Sequence, residues 1–437
     1  MREQGRGWSW APAGVVLASC VVVPCIFWTR IEAVFVVPKL AALWSALAIG
    51  LVLVAVGVVA TGRLPREARW VPLVDVPVGA FVALSIAAWV FSTDREQSLY
   101  GERLQHQGLL TLLLYVGFFY LVRLSITDER RLKLLCCAVA CGATLVAGYA
   151  LVQKAGLDPI WDGYLPGGRV FSSIGQANAL AAYLVMASPL GVALLTGVPA
   201  SVRVVVLASI GAMTAALAFT QSRGGYLGFL ATLIVLAVGW RRVLLASLRR
   251  PRYVVAGALS VVALLVAVAI SVGGQERLTS SDSSIRFHLD AWRVAAQVAV
   301  EHPVLGTGPE TFPDVFPRYS HDLLPANRAA ALDAFRVESP HDVYLGIAAG
   351  SGIPALVAYL AVIVGFFVVA IGTLKRVARD LELTLVAALA AVTGHLVADV
   401  FMSADVTSTW LFWVVLGAVV GTIAQLNRQS TTFQVRP

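Results

Sequence analysis

Apolar runs of about 17 residues or more recur along the chain near residues 11–28, 33–60, 73–91, 108–124, 133–153, 174–197, 202–220, 224–240, 253–272, 341–373, 383–402 and 408–426. Each is long enough to cross the hydrocarbon core as a helix, so the pattern predicts an all-α polytopic membrane protein of about twelve spans. The longest polar interruption, residues 273–340, has a different period. Within 283–300, Ile285, Leu289, Trp292, Ala296 and Ala299 recur at helical spacing with Arg286, Asp290 and Arg293 on other faces, which predicts an amphipathic helix. Glu301-His302-Pro303 ends that helix, and Gly306-Thr307-Gly308-Pro309 makes a tight turn that lacks the Lys-Ser/Thr of a P-loop. Ser339-Pro340-His341-Asp342 opens the tenth run: Ser339 suits the N-cap, Pro340 the first helical position and Asp342 the reciprocal carboxylate, so His341 is expected in the first turn. Gly350, Gly352 and Pro354 then predict a short helix, a break and a full crossing. The chain thus divides into nine spans over 1–272, a large partly helical loop over 273–340, three spans over 341–426 and a polar tail, 427–437, expected to be disordered.

Composition agrees. Of 437 residues, 58% are hydrophobic and only 13% charged, with a mean hydropathy of +0.80, which excludes a soluble enzyme. The net charge of +8 could suggest nucleic acid, but the basic residues sit in short clusters between apolar runs. With the N-terminus inside, every strong cluster falls on one side: Arg63, Arg66 and Arg69; Arg123, Arg130, Arg131 and Lys133; Arg241, Arg242, Arg249, Arg250 and Arg252; Lys375, Arg376 and Arg379. Both termini are therefore expected in the cytoplasm and the 273–340 loop outside, in a bacterium the periplasm, where chemistry has no ATP. Leu17-Ala18-Ser19-Cys20 is similar to a lipoprotein cleavage site, but the apolar run continues to Trp28 as an uncleaved span would. The five cysteines all lie in apolar runs and imply neither a disulfide framework nor a zinc site.

A cation beside a span is a functional candidate, with anchoring at the interface as the ordinary alternative. Arg223 lies in a very short outward turn, Arg286 heads the amphipathic helix, and His341 sits at the start of the tenth run, all on one face of the membrane. Guanidinium forks stay protonated and bind phosphate oxygens bidentately, and a histidine can accept a proton from an attacking hydroxyl near neutral pH. These are parts for displacing a lipid diphosphate by an alcohol.

The stretches Gln221-Ser222-Arg223-Gly224-Gly225-Tyr226, Arg286 followed by Trp292, His302-Pro303-Val304-Leu305-Gly306-Thr307-Gly308-Pro309-Glu310-Thr311-Phe312 and Ser339-Pro340-His341-Asp342-Val343-Tyr344-Leu345 resemble the O-antigen ligase and polymerase superfamily of membrane glycosyltransferases. Ser98-Leu99-Tyr100-Gly101 with Arg103 and Gly108, and Gly168-Arg169-Val170-Phe171 leading to Gly175-Gln176-Ala177-Asn178, also look like segments of it. The resemblance implies a GT-C-type fold in the inner membrane and transfer of a glycan from undecaprenyl diphosphate to an acceptor hydroxyl. In the ligases the acceptor is the lipid A core of lipopolysaccharide, the anomeric centre is inverted, and neither metal nor nucleotide is required. Carried over, Arg223 and Arg286 would bind the diphosphate and His341 would activate the acceptor. The family often has His-Asn where this chain has His341-Asp342; Asp342 would cap the helix or raise the basicity of His341.

Lys39, Arg103 with His106, and Arg169 beside Asp158, Trp161 and Asp162 are secondary candidates for donor or acceptor binding, with snorkelling or loop anchoring as the alternatives. Asp399 and His395 lie within the eleventh run without an assigned role. Three readings stay open: a ligase, a polymerase or a protein-glycosylating relative of them; a secondary transporter, which many spans and a broken helix would also fit; and a non-catalytic scaffold. Against a transporter, the halves show no similarity and the polar residues gather at the outer surface.

Overall fold

The computed structural model describes residues 10–62, 70–196, 198–241, 276–333 and 337–434. Among them every regular element is a helix. In chain order these are α1 Ala11–Val22, α2 Val37–Thr61, α3 Pro72–Val90, the short α4 Arg95–Tyr100, α5 Leu109–Ser125, α6 Glu129–Lys154, α7 Ala177–Ala193, α8 Ala200–Thr220 and α9 Arg223–Gly239. After them come α10 Glu276–Glu301, α11 Phe312–Leu323, α12 Ala326–Asp333, α13 Val343–Ser351, α14 Ile353–Leu374, α15 Arg379–Ala398 and α16 Val406–Gln434. Seven of the helical segments are long and apolar enough to cross a membrane and four shorter apolar ones accompany them, so the chain is a polytopic membrane protein. These coincide with the runs expected from the sequence, except that the run at 253–272 lies outside the described residues, as do Arg63, Arg66, Arg69, Arg242, Arg249, Arg250 and Arg252. The last helix continues to Gln434, through most of the stretch expected to be a disordered tail.

Burial separates central helices from peripheral ones. The apolar windows of α16 and α15 are 94% and 78% buried, against 17% for α2 and 22% for α8, whose apolar side chains are left for lipid. Small residues let the central helices approach. Gly228 of α9 faces Gly394 of α15 so closely that a Cβ on Gly228 would overlap the Gly394 carbonyl, and Thr232 donates to Ala390 O at 3.2 Å. Part of the basic cluster at and after the end of α5 has a structural role. Arg123 is buried in an ion pair with Asp75 of α3, and Arg131 stacks over Trp10 at 4.3 Å while donating to Ser125 O at 2.8 Å.

Helices α10 to α12 form a second, smaller core. Ala291, Val294, Ala295 and Val298 of α10 pack with Phe312, Phe316 and Tyr319 of α11 and with Ala329 and Leu332 of α12, and Arg328 pairs with Asp290. The amphipathic helix is real but longer than 283–300, and its buried face differs from the one expected. Ile285 and Leu289 are exposed, and so is Ala296. The helix carries two apolar stripes, and the loop's own helices cover the one that starts at Ala291.

The tenth run breaks where its glycines predicted. Gly352 separates α13 from α14 at φ 88, ψ 165, a conformation essentially reserved for glycine. The break leaves helix-terminal backbone groups in need of partners, and the 303–308 turn supplies them. Thr307 N donates to Ala349 O (3.0 Å), Gly308 N to Gly350 O (2.9 Å), and Ile353 N to Pro303 O (2.9 Å). The approach is tight, since a Cβ at Gly352 would overlap the Val304 carbonyl. Gly352→Ala is therefore expected to cost about 2–4 kcal/mol or to prevent accumulation of folded protein, whereas Gly372→Ala in the same helix segment, which meets open space, should be neutral. Thermal unfolding of both in detergent checks this, and equal midpoints would show that the turn does not depend on the break.

Candidate functional site

His341 lies before α13 rather than in its first turn. Two local signals compete there, and Asp342 is the N-cap: its Oδ1 accepts from Leu345 N at 2.8 Å, so the helix starts at Val343. Ser339 is otherwise engaged. Its hydroxyl accepts from His341 N at 3.3 Å and is paired with the Ser403 hydroxyl. His341 consequently adopts φ 53, in the left-handed region that a non-glycine residue occupies only when its surroundings fix it. Those surroundings are the Ser403 hydroxyl, 3.1 Å from Nδ1, and the rings of Phe287 and His288 of α10, at 5.4 and 5.5 Å from the imidazole centroid.

Burial, with a smaller contribution from His288, pushes the His341 imidazole down to about 4, so it is neutral at pH 7. Asp342 is turned to the helix cap and does not hold that value up. Its own carboxyl is raised by burial.

The 399–403 stretch after α15 gathers the elements. The Phe401 ring packs against Trp292 of α10 at 6.0 Å, and a Cβ at Gly224 would meet Phe401 Cβ at 2.8 Å, so the start of α9 abuts the same place. Arg223 is the first residue of α9, after the N-cap Ser222, whose Oγ accepts from Gly225 N at 3.2 Å. Arg286 precedes Phe287 and His288 on α10. Both arginines are exposed, and neither has a hydrogen-bond or ion-pair partner among the described residues. The structure thus brings Arg223, Arg286 and His341 to one end of the bundle, around one turn, without direct contact between them.

The secondary candidates are committed elsewhere. Arg169 Nε donates to Thr220 O at 2.7 Å and a terminal nitrogen donates to Asn178 Oδ1 at 2.5 Å, which fixes the turn that leads to Arg223. Lys39 is buried and donates to Phe35 O (2.9 Å) and Ser173 O (2.7 Å). Arg103 is exposed and paired with Glu32 at 2.7 Å. His395 and Asp399 form a buried pair at 3.4 Å.

Two adjoining cavities open at this end. One, of about 150 Å³, is lined by His341, Ser403, Tyr115 and Glu310; the other, of about 440 Å³, by Lys39, Trp161, Glu338 and Asp405. Gln105, Gln107, Ser403 and Ala404 border both. Ser403, Glu310, Gln105 and Gln107 are site residues that the sequence did not single out. Ser403 lies in a short connection with no motif, and Glu310, at φ 62, lies within a recognised motif that gave it no role in a cavity. Burial and the nearby Glu102 push the Glu310 carboxyl up to about 7.

Among the described residues, fold and site define a multi-pass, all-helical membrane protein with two cavities at one end of the bundle, bordered in part by residues 309–310 and 338–340 of the large loop. Residues 205–360 match the family model described as O-antigen ligase, the superfamily that the motifs in this part of the chain resemble. That superfamily comprises glycosyltransferase-like ligases and polymerases. Among curated proteins no match is found. The matched segment runs from α8 through the first part of α14 and includes Arg223, Arg286 and His341.

If Asp342 acts as the cap, Asp342→Ala should lower unfolding stability by about 1 kcal/mol while Asp342→Asn keeps most of it. Denaturation of the two variants side by side tests this; equal losses would assign Asp342 a charge-dependent role.

Proposed function

We propose that the chain is a periplasm-facing glycosyltransferase of the inner membrane that moves a glycan from undecaprenyl diphosphate to an acceptor hydroxyl, with the lipid A core as acceptor. The observation that carries this reading is a neutral, hydroxyl-held histidine lining a cavity at the end of the bundle where α9 starts with Arg223, which has no partner among the described residues. His341 Nδ1–H donates to Ser403, and Nε2 accepts the acceptor's hydroxyl proton as its oxygen attacks the anomeric carbon. The bond from that carbon to the diphosphate oxygen breaks with inversion, and the electron pair leaves on the diphosphate. Arg223, the α9 N-terminus and Arg286 stabilise the charge that develops there. The polyprenyl tail stays in lipid, since exposing it costs about 0.8 kcal/mol per CH₂.

Purified protein in nanodiscs, given an undecaprenyl diphosphate glycan and candidate acceptors, should release undecaprenyl diphosphate only with a suitable acceptor. His341→Ala should slow release by about 10²–10⁴-fold, and Arg223→Ala and Arg286→Ala should each cost at least about tenfold. A lipid A core acceptor marks a ligase and a second lipid-linked glycan a polymerase; undiminished release by His341→Ala removes the histidine from the mechanism.

The imidazole's low pKa has a signed consequence. In the empty site it stays neutral as pH falls from 7 and takes up a proton only near 4, so kcat/KM for the donor should hold down to about pH 5. A bound diphosphate favours the imidazolium and raises that pKa, so kcat should begin to fall at a higher pH than kcat/KM. Parallel pH profiles check this, and a loss of kcat/KM near pH 6.5 would contradict it.

A further inference from the structure

The larger cavity is separate in chemistry from the arginine side of the site. Its charged residues are mostly committed: Lys39 to two backbone carbonyls, Glu32 to Arg103, and Asp405 to capping α16 through Thr407 N (2.9 Å) and Ser408 N (3.1 Å). What remains is a strip of carboxamide and carboxylate. Gln105 Nε2 donates to Glu338 Oε2 at 2.8 Å, which leaves Glu338 Oε1 and Gln105 Oε1 for a ligand. Gln107 Nε2 donates to Gln105 O at 3.2 Å, and its Oε1 accepts from Tyr115 OH at 2.9 Å, so its amide is fixed in orientation. The Trp161 ring lines the same cavity, held by Phe35 at 5.5 Å and Phe171 at 5.9 Å. Carboxamides held in place and a braced aromatic ring in one cavity suit a pyranose, whose hydroxyls can meet the former and whose C–H face the latter. The volume of about 440 Å³ holds one or two sugar rings.

This inference rests on the transferase reading above. The diphosphate belongs with the unpaired arginines, and in an inverting displacement the acceptor approaches from the face opposite the leaving group. We infer that the cavity walled by Gln105, Gln107, Glu338 and Trp161 is the acceptor subsite, and that it takes a neutral or amino-bearing sugar while rejecting uronic acids and phosphorylated sugars. Glu338 is the selector: its carboxylate accepts from hydroxyl or ammonium groups and repels anions. Glu32, Glu338 and Asp405 outnumber Lys39 along the lining, which also disfavours the donor's diphosphate on the acceptor side.

The test uses the full chain in nanodiscs and two lipid-anchored acceptors that differ only at C6, one glucosyl and one glucuronosyl, with binding and undecaprenyl diphosphate release measured separately. The glucosyl lipid should bind about tenfold or more tightly than the glucuronosyl lipid. Glu338→Gln should narrow that ratio to within about threefold by improving glucuronosyl binding, and Gln105→Ala should weaken both. Equal binding by the parent, an unchanged ratio in Glu338→Gln, or no glucosyl binding overturns the subsite. Binding with the expected ratio but no donor-dependent release would remove the transferase reading and leave the subsite standing; release without discrimination would do the reverse.

Discussion

A helix that stops inside an apolar bundle leaves carbonyl and amide groups that lipid cannot satisfy, and much of this molecule follows from how one such stop is answered. The break at Gly352 is closed by backbone hydrogen bonds from the 303–308 turn, so the loop domain is joined to the bundle at a fixed place. That junction propagates in both directions. The same turn accepts at Thr307 O from Thr93 N, at 2.9 Å, and Gln97 donates to Glu310 O at 2.7 Å, which fastens the segment around α4 to the loop. On the other side, α13 is held in place with His341 directly before its cap. One satisfied discontinuity thus sets the positions of Glu310, Gln105 and His341 relative to each other.

Charge is sorted across this end of the bundle. Exposed arginines without a partner among the described residues stand at the start of α9 and on α10, while the 101–108 and 337–342 segments bring carboxamides and carboxylates together. The cations away from the first group have local partners, Arg103 an ion pair with Glu32 and Lys39 hydrogen bonds to backbone carbonyls. A donor with two phosphates and an acceptor rich in hydroxyls would meet surfaces of different character, with His341 and Ser403 at the boundary.

The spans were legible because hydropathy over some twenty residues is a strong signal and lipid permits few alternatives. The break at Gly352 was legible for a related reason, as three helix-disfavouring residues fall close together. The buried face of α10 was not, since two apolar stripes share its sequence and the partners supplied by α11, α12 and α13 choose between them. The N-cap of α13 was misassigned because Ser339 and Asp342 are both good caps, and the choice was made by Ser403, which is 64 residues away from Ser339 in sequence. Arg223, Arg286 and His341 could be picked out one by one from their expense near a membrane. Gln105, Gln107 and Glu338 could not, because polar residues in loops are ordinary until a fold closes a cavity around them.

The hydroxyl pair behind the histidine has a direction as well as a position. With both hydroxyl hydrogens pointing away from the ring, Nδ1 carries the proton and Nε2 has a free lone pair. With both turned towards it, Ser403 donates to Nδ1, the ring proton sits on Nε2, and the imidazole has no basic atom left for a substrate. The heavy atoms are the same in both arrangements, so a single backbone conformation contains a working and an idle tautomer, and the polarity around Ser339 sets their ratio.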